Sequence, residues 1–294
     1  MVRTGFYFGC YYQNYFSTYL TQNKIDFKFC LVYQTPYILP FENGVIVIDR
    51  ESLRLLQNHF LYAANEYFKD PNYLKIDNRP VLFLMVSHLL RGEYELAITK
   101  TNNIVQQRTG YNIFLVGDEI ILPERDEKQI QLDKKRITLF DAITTCNIWG
   151  SPKYDGLPVV TGFFNDINTI FDKYYKITRG MDIKFIPGVM PGFNNHGFHA
   201  GTKYPILPRE ATIDKENEGT TYHVFLQIAK KYLDPNLNML MINSFNGWSD
   251  DTQIEPVASN YLTPATVPIE LTNGYKYYDY KDIYLRITKK ELSK

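Results

Sequence analysis

Ser244 to Pro256, SFNGWSDDTQIEP, brings a tryptophan, Trp248, close to a carboxylate pair, Asp250 and Asp251, with a further carboxylate at Glu255. An indole face packs well on a pyranose ring, and carboxylates move protons or stabilise an oxocarbenium-like transition state. Asn246 adds an amide that can bond sugar hydroxyls. The same residues fit a plainer arrangement, a strand followed by an acidic turn with Trp248 covering the core.

Other residues with chemical potential are spread through the chain. Trp149 and His88 each follow an apolar run, where barrel enzymes carry their functional groups. His88 fits a satisfied histidine at a core edge equally well. Asp141 falls inside an apolar run, where a carboxylate must be paired or face an open mouth. His196 and His199 form an H-x-x-H in the loop PGFNNHGFH. With no third ligand at a helical spacing, the reading there is a polar loop, and no metal is expected. Arg209 and Lys203 suit contacts to acidic or sulphated sugars, or simply face water. No cofactor is expected.

These residues need elements to hold them. Met239 to Ile242 has the length and character of a fully buried strand leading into the tryptophan turn. Gly5–Tyr12, Asp26–Tyr33, Arg79–Val86, Asn112–Gly117, Ile137–Cys146 and Asp182–Met190 read as further strands, and Gly44–Ile48 as an extended piece. Helices are expected over Glu51–Phe68, over Glu93–Arg108 closed by Gly110, over Asp166–Thr178, and from a cap at Thr220 or Thr221 to Tyr232. Glu124–Arg136 reads as an exposed helix or solvated loop, and the tyrosine-rich tail Asn273–Ile287 as edge strands. Strands and helices alternate, and the strands are near-continuously apolar. That pattern signals a parallel sheet buried on both faces, and at this length a single (β/α)8-type TIM barrel. The strand count falls one short of eight. No linker or composition shift divides residues 1–294, so one domain is expected.

Composition narrows the partners. Lys plus Arg and Asp plus Glu are both 32, for a formal net charge of zero. That does not supply the basic surface a nucleic-acid partner needs. Hydrophobic content is 45%, enough for a sizeable core, and no window approaches a membrane span. The cysteines Cys10, Cys30 and Cys146 read as buried free thiols. With no signal peptide seen, they lean towards a cytoplasmic setting, processing after secretion being the alternative. The partner expected is a carbohydrate; the oligomeric state is open.

Several stretches, in order, resemble the glycoside hydrolase family 99 group and its WbsX-like relatives, the latter described as glycosyltransferases of surface-polysaccharide clusters. DFKFCLVY resembles the WbsX-like strand DFPFCLCW, and YFKDPNYLKIDNRPVLFLM (Tyr67–Met85) is similar to YFKDPRYIRVDGKPVFLIY. LFDAITTCNIWG resembles the family strand with an internal Asp, and FIPGVMPGFNN its P-x-V-S-P-G-W-D-N turn. SFNGWSDDTQIEP resembles FNEWHEGTQIEP. The resemblance implies a (β/α)8 barrel acting on glycans, with two glutamates at the carboxyl-end turn; in family 99 these cleave an α-mannosidic bond with retention.

The chain departs from that pattern at the chemistry. The first glutamate position is Gly247. The second is Asp250, one methylene shorter, which retracts a carboxyl by roughly 1.5 Å, a displacement that can cost about 100-fold. The family's turn Asp is Asn194 here, its ANENW stretch is Gln34-Thr35-Pro36-Tyr37, and its first strand is missing or replaced. Three readings follow. One is a glycoside hydrolase for manno-configured bonds, with Asp250 as acid and Asp251 or Glu255 as the second carboxylate. Another is a catalytically degenerate glycan binder using Trp248, Trp149 and Asn246. The third is a glycosyltransferase with a single aspartate base.

Overall fold

The structure, a computed structural model, describes residues 18–119, 127–145, 160–196, 206–210, 218–257 and 280–293. Packing divides the chain into two compact units that interleave along it. The first takes residues 1–119, 126–144 and 181–183; the second takes 120–125, 145–180 and 184–294. Cys10, Cys146, Trp149, His199, Lys203 and the predicted strand Gly5–Tyr12 lie outside the described residues.

The first unit runs β1 (Leu31–Tyr33), β2 (Phe41–Glu42), β3 (Val45–Ile48), α1 (Arg50–Glu66), β4 (Lys75–Ile76), β5 (Arg79–Leu84), β6 (Leu90–Gly92), α2 (Tyr94–Thr109), β7 (Phe114–Asp118), α3 (Glu127–Ile137) and β8 (Ala142–Thr144). Strands β1, β5, β7 and β8 pair in that order, all parallel, with Leu31 opposite Leu82, Leu82 opposite Leu115, and Val116 opposite Ala142. Val81, Leu82, Val116 and Ile143 of β5, β7 and β8 are fully buried, while Val32 of β1 is exposed. Strand β4 adds an antiparallel hairpin to β5, and β2, β3 and β6 form a small separate sheet.

Local signals set the helix ends. Asp49 caps α1, its carboxylate accepting from the Ser52 amide at 2.8 Å. Gly110 closes α2 at φ +78°, a conformation that costs a residue with a Cβ. Two expectations fail here. Ile137–Phe140 does not extend the strand: Ile137 is the last residue of α3, and β8 begins only at Ala142. Nor is α3 merely solvated, because its Asp133 and Arg136 are buried. Cys30 is a free thiol that burial pushes up to about 12, in keeping with an inert core-edge cysteine.

The second unit contains α4 (Val160–Arg179), β9 (Lys184–Phe185), β10 (Gly188–Val189), α5 (Thr220–Lys230), β11 (Met241–Ile242) and α6 (Ile283–Leu292). Its core is aromatic. Phe163, Phe164 and Phe171 of α4 meet Phe225 of α5 at centroid separations of 5.8, 6.2 and 6.3 Å, and Tyr232 closes on Phe171 and Tyr175. The predicted strand Asp182–Met190 is split into β9 and β10 around Pro187, which has no N–H for a ladder but whose carbonyl accepts from the Met241 amide. Strand β10 pairs parallel with β11. The run Met239–Ile242 is half-buried instead of fully buried. Neither threonine caps α5: Gly219 precedes it in a left-handed turn at φ +84°, and Thr221 Oγ1 donates to the Pro208 carbonyl. The end of the tail, expected as edge strand, is helix α6 packed on α5. No helix of the described residues is long and apolar enough to cross a membrane.

Candidate functional site

After β11 the chain folds into a closed loop. The Ser244 amide donates to the Thr252 carbonyl, the Thr252 amide to Gly247, the Ile254 amide to Ser244, and the Glu255 amide to Phe245. These bonds leave the tip pointing outward. Trp248 is 68% exposed and Phe245 54%, with Asn246 between them also exposed. Trp248 therefore does not cover a core; two large aromatic faces and an amide are offered to solvent from one short loop. Phe245 was not a sequence candidate, since it reads as the end of the apolar run.

Inside the loop the hydroxyls form a one-way chain. The Gly247 amide donates to Ser244 Oγ at 2.7 Å, Ser244 Oγ lies 2.9 Å from Thr252 Oγ1, and Thr252 Oγ1 donates to Asp250 Oδ1 at 2.8 Å. With the Gly247 amide supplying the first proton, Ser244 is left to donate to Thr252 and Thr252 to Asp250, so every donor has one acceptor. This chain occupies the space beside Gly247. A Cβ there would stand 2.4 Å from both hydroxyl oxygens and 2.8 Å from Asp250 Oδ1. The absence of a side chain at 247 is thus built into the loop.

Asp251 has a different role. Its backbone is left-handed at φ +57°, and its carboxylate accepts from Arg209 Nε at 2.8 Å. Arg209 Nη2 donates to the carbonyls of Asp251 and Gln253 at 3.1 and 2.9 Å. Burial works against the Arg209 charge, but the Asp251 carboxylate beside it holds the guanidinium firmly protonated. Arg209 is only 4% exposed, so it is not a surface contact for acidic sugars, and Asp251 serves it instead of a substrate. Glu255 is half-buried; its carbonyl accepts from the Tyr280 hydroxyl, and its Oε2 is shut off from solvent. Asn194 adjoins the loop, its amide donating to the Asp250 carbonyl at 2.8 Å. The Asn194 side chain, however, accepts from the His196 amide within its own loop.

The remaining candidates lie in the first unit. His88 follows β5, and its Nδ1–H donates to the Asp118 carbonyl at the end of β7. Val86 before it is left-handed at φ +55°, unusual for a β-branched residue, and its amide donates to Asp118 Oδ2. Ser87 Oγ donates to Glu119 Oε1 at 2.7 Å, and Arg136 grips Glu119 through Nε and Nη2 at 2.8 and 2.6 Å while also bonding Asp133. Burial opposes the Arg136 charge, and the Glu119 and Asp133 carboxylates outweigh it. Ser87, Glu119, Asp133 and Arg136 were not foreseen as a cluster, because nothing in a charged helix marks which residue turns inward. Asp141 sits at the opposite end of this sheet. It is bidentate to Arg79 at 2.7 Å and accepts from the Leu115 amide, and so ties the amino ends of β5 and β7 instead of facing the carboxyl ends. Among the described residues no cluster of three or more His, Cys, Asp or Glu side chains could hold a metal.

A family model described as Glycosyltransferase WbsX matches residues 6–263. Among solved structures the chain is similar to a glycoside hydrolase-like protein, at 17% identity and a TM-score of 0.62 over 83% of this chain. It spans only 62% of that protein's length. It is also similar to a family 99 endo-α-mannosidase from Bacteroides thetaiotaomicron in complex with bis-tris propane, at 19% identity, a TM-score of 0.61, and 96% and 75% coverage of the two chains. A second structure of a family 99 endo-α-mannosidase from that organism matches at 17% and 0.57 over 99% and 84%. At these identities the likeness is one of fold. No curated protein matches the chain.

Proposed function

We propose, because this chain belongs to the WbsX glycosyltransferase family, that it binds a glycan on the Ser244–Glu255 loop and acts on it through one carboxylate, that of Asp250. The reading takes as its scaffold the (β/α)8 barrel predicted from the strand pattern. Trp248 and Asn246 supply a stacking face and a hydrogen-bonding amide, with Phe245 beside them. The observation that carries the single-carboxylate reading is the fate of the neighbours. A side chain at position 247 would displace the Ser244–Thr252–Asp250 chain of hydrogen bonds, and Asp251 is held by a buried arginine.

One base suits transfer. Asp250 takes the proton of an acceptor hydroxyl as that oxygen attacks the anomeric carbon of the donor sugar, and the leaving group departs with the bonding electrons. The glycoside hydrolase route needs a second carboxylate across the ring; Gly247 has none, Asp251 is taken by Arg209, and Glu255 has its Oε2 shut off from solvent. A manno-configured sugar is the first to try, since the fold is that of the endo-α-mannosidases.

Two variants test this reading with a mannose disaccharide as acceptor, a mannosyl phosphate as donor whose phosphate is the leaving group, and a mannose-configured iminosugar as a binding probe. Trp248→Ala is expected to weaken binding about tenfold by calorimetry, the loss of one stacking contact of about 1.4 kcal/mol. Asp250→Asn is expected to leave binding in place and to lower product formation by about 10²- to 10⁴-fold. Equal binding by Trp248→Ala would remove the loop as the site. Bond cleavage by Asp250→Asn at the wild-type rate would restore the hydrolase reading with a different acid.

A further inference from the structure

The family match ends at residue 263, yet the segment that begins at Tyr280 bears directly on the loop. The Tyr280 hydroxyl donates to the Glu255 carbonyl at 2.9 Å, and the Val257 amide to the Lys281 carbonyl at 3.1 Å. Tyr280 and Tyr284 meet edge to face, with centroids 4.8 Å apart and planes at 88°. The Arg209 guanidinium carbon lies 4.9 Å from one ring centre and 4.8 Å from the other. The three groups make a near-equilateral triangle, so the guanidinium sits in the corner between two perpendicular aromatic faces. All three are nearly inaccessible, at 5%, 0% and 4% exposure. The Tyr284 hydroxyl donates to Glu218, whose carboxyl is pushed up by burial against that bond, so the corner is itself fixed from behind.

What the corner fixes is the plane of the arginine. Its fork reaches three acceptors in Asp251 and Gln253, both on the stretch that follows Asp250, and Asp251 is in the left-handed region that aspartate tolerates better than most residues. We propose that Arg209, oriented by Tyr280 and Tyr284, is a positioning residue for the glycan loop, and that the carboxyl-terminal segment outside the family match is a working part of the site. The proposal rests on the glycan reading for its function and on the loop geometry for its mechanism. Arg209 fixes the backbone of Asp251–Gln253, and through it the Asp250 carboxylate and the Trp248 tip.

The test labels the full chain with 5-fluorotryptophan and follows the Trp248 fluorine signal, identified by its loss in Trp248→Phe. Arg209→Lys keeps the charge but cannot span three acceptors. It is expected to shift and broaden the Trp248 signal in the free protein and to raise the dissociation constant for the mannose disaccharide at least tenfold. Tyr284→Leu is expected to do the same, and Tyr284→Phe, which keeps the ring but loses the bond to Glu218, to show a smaller change than Tyr284→Leu. Glu291→Gln is the control. It loosens the carboxyl-terminal end of α6, about two turns beyond Tyr284, through its ties to His223 and Lys230, touches none of the corner's groups, and is expected to lower the melting temperature without moving the Trp248 signal.

An unmoved Trp248 signal in Arg209→Lys would overturn the proposal. So would an equal change in Glu291→Gln, which would reduce the arginine to general support of the fold. If Arg209→Lys does not fold, the two Tyr284 variants decide. A wild-type protein that ignores the disaccharide would sink the glycan reading alone, since the signal of the free protein still reports the positioning.

Discussion

Arg136→Met is expected to destabilise the first unit by about 3–5 kcal/mol, measured as a fall in the urea midpoint followed by circular dichroism. Arg136 is 2% exposed and Glu119 0%, and the guanidinium makes the charged contacts that allow the Glu119 carboxylate to be buried. Removing the cation leaves two enclosed carboxylates, Glu119 and Asp133, with their attraction gone and water unable to replace it. The loss exceeds what a methionine of similar bulk restores in packing. The triple variant Glu119→Leu, Asp133→Leu, Arg136→Met is expected to recover most of the stability, because no charge is then left to desolvate. A single variant within about 1 kcal/mol of wild type would mean that water reaches the cluster on unpairing. The cluster also holds Ser87, next to His88, so the single variant is expected to disturb the carboxyl ends of β5 and β7 first.

Gly247→Glu, which installs the glutamate that the family motif carries at that position, is expected to abolish glycan binding at the loop instead of creating a hydrolase. The new Cβ would stand 2.4 Å from two oxygens, so the Ser244–Thr252–Asp250 chain must break to admit it. Overpacking of this kind costs about 1–3 kcal/mol, and here it also releases the carboxylate that the chain aligns. Gly247→Ala, with the same Cβ and no carboxylate, is expected to show the same loss of binding by calorimetry. If Gly247→Glu binds the disaccharide as wild type and hydrolyses it, the loop rearranges freely and Asp250 is not held as described.

The parallel sheet was legible because PVLFL and FLVG, within β5 and β7, are uninterrupted apolar runs of the kind a doubly covered strand carries. Gly110 was legible as a helix end because glycine takes φ +78° at little cost. The loop Ser244–Pro256 stood out for the same kind of reason, a tryptophan and carboxylates after an apolar run. What could not be read was which carboxylate does what. Asp250 and Asp251 are adjacent and identical in type, and the difference between them is made by Arg209, whose stacking partners Tyr280 and Tyr284 come from the far end of the chain. In the same way Arg136 stands in a run of charges that looks like any solvated helix face, and its partner Glu119 lies on the other side of an unrelated stretch. Pro187 did carry a signal for the break between β9 and β10, but the apolar residues around it mask that signal in a short window.

The interleaving of the two units has a consequence for how the chain is made. A ribosome delivers Glu119 before Arg136, so the carboxylate at the end of β7 emerges with no cation to meet it. Strand β7 then has a cost to burying its own terminus until α3 has left the exit tunnel, and β8 arrives later still. Residues 1–119 are therefore a poor place for a nascent chain to stall or for an expression fragment to end.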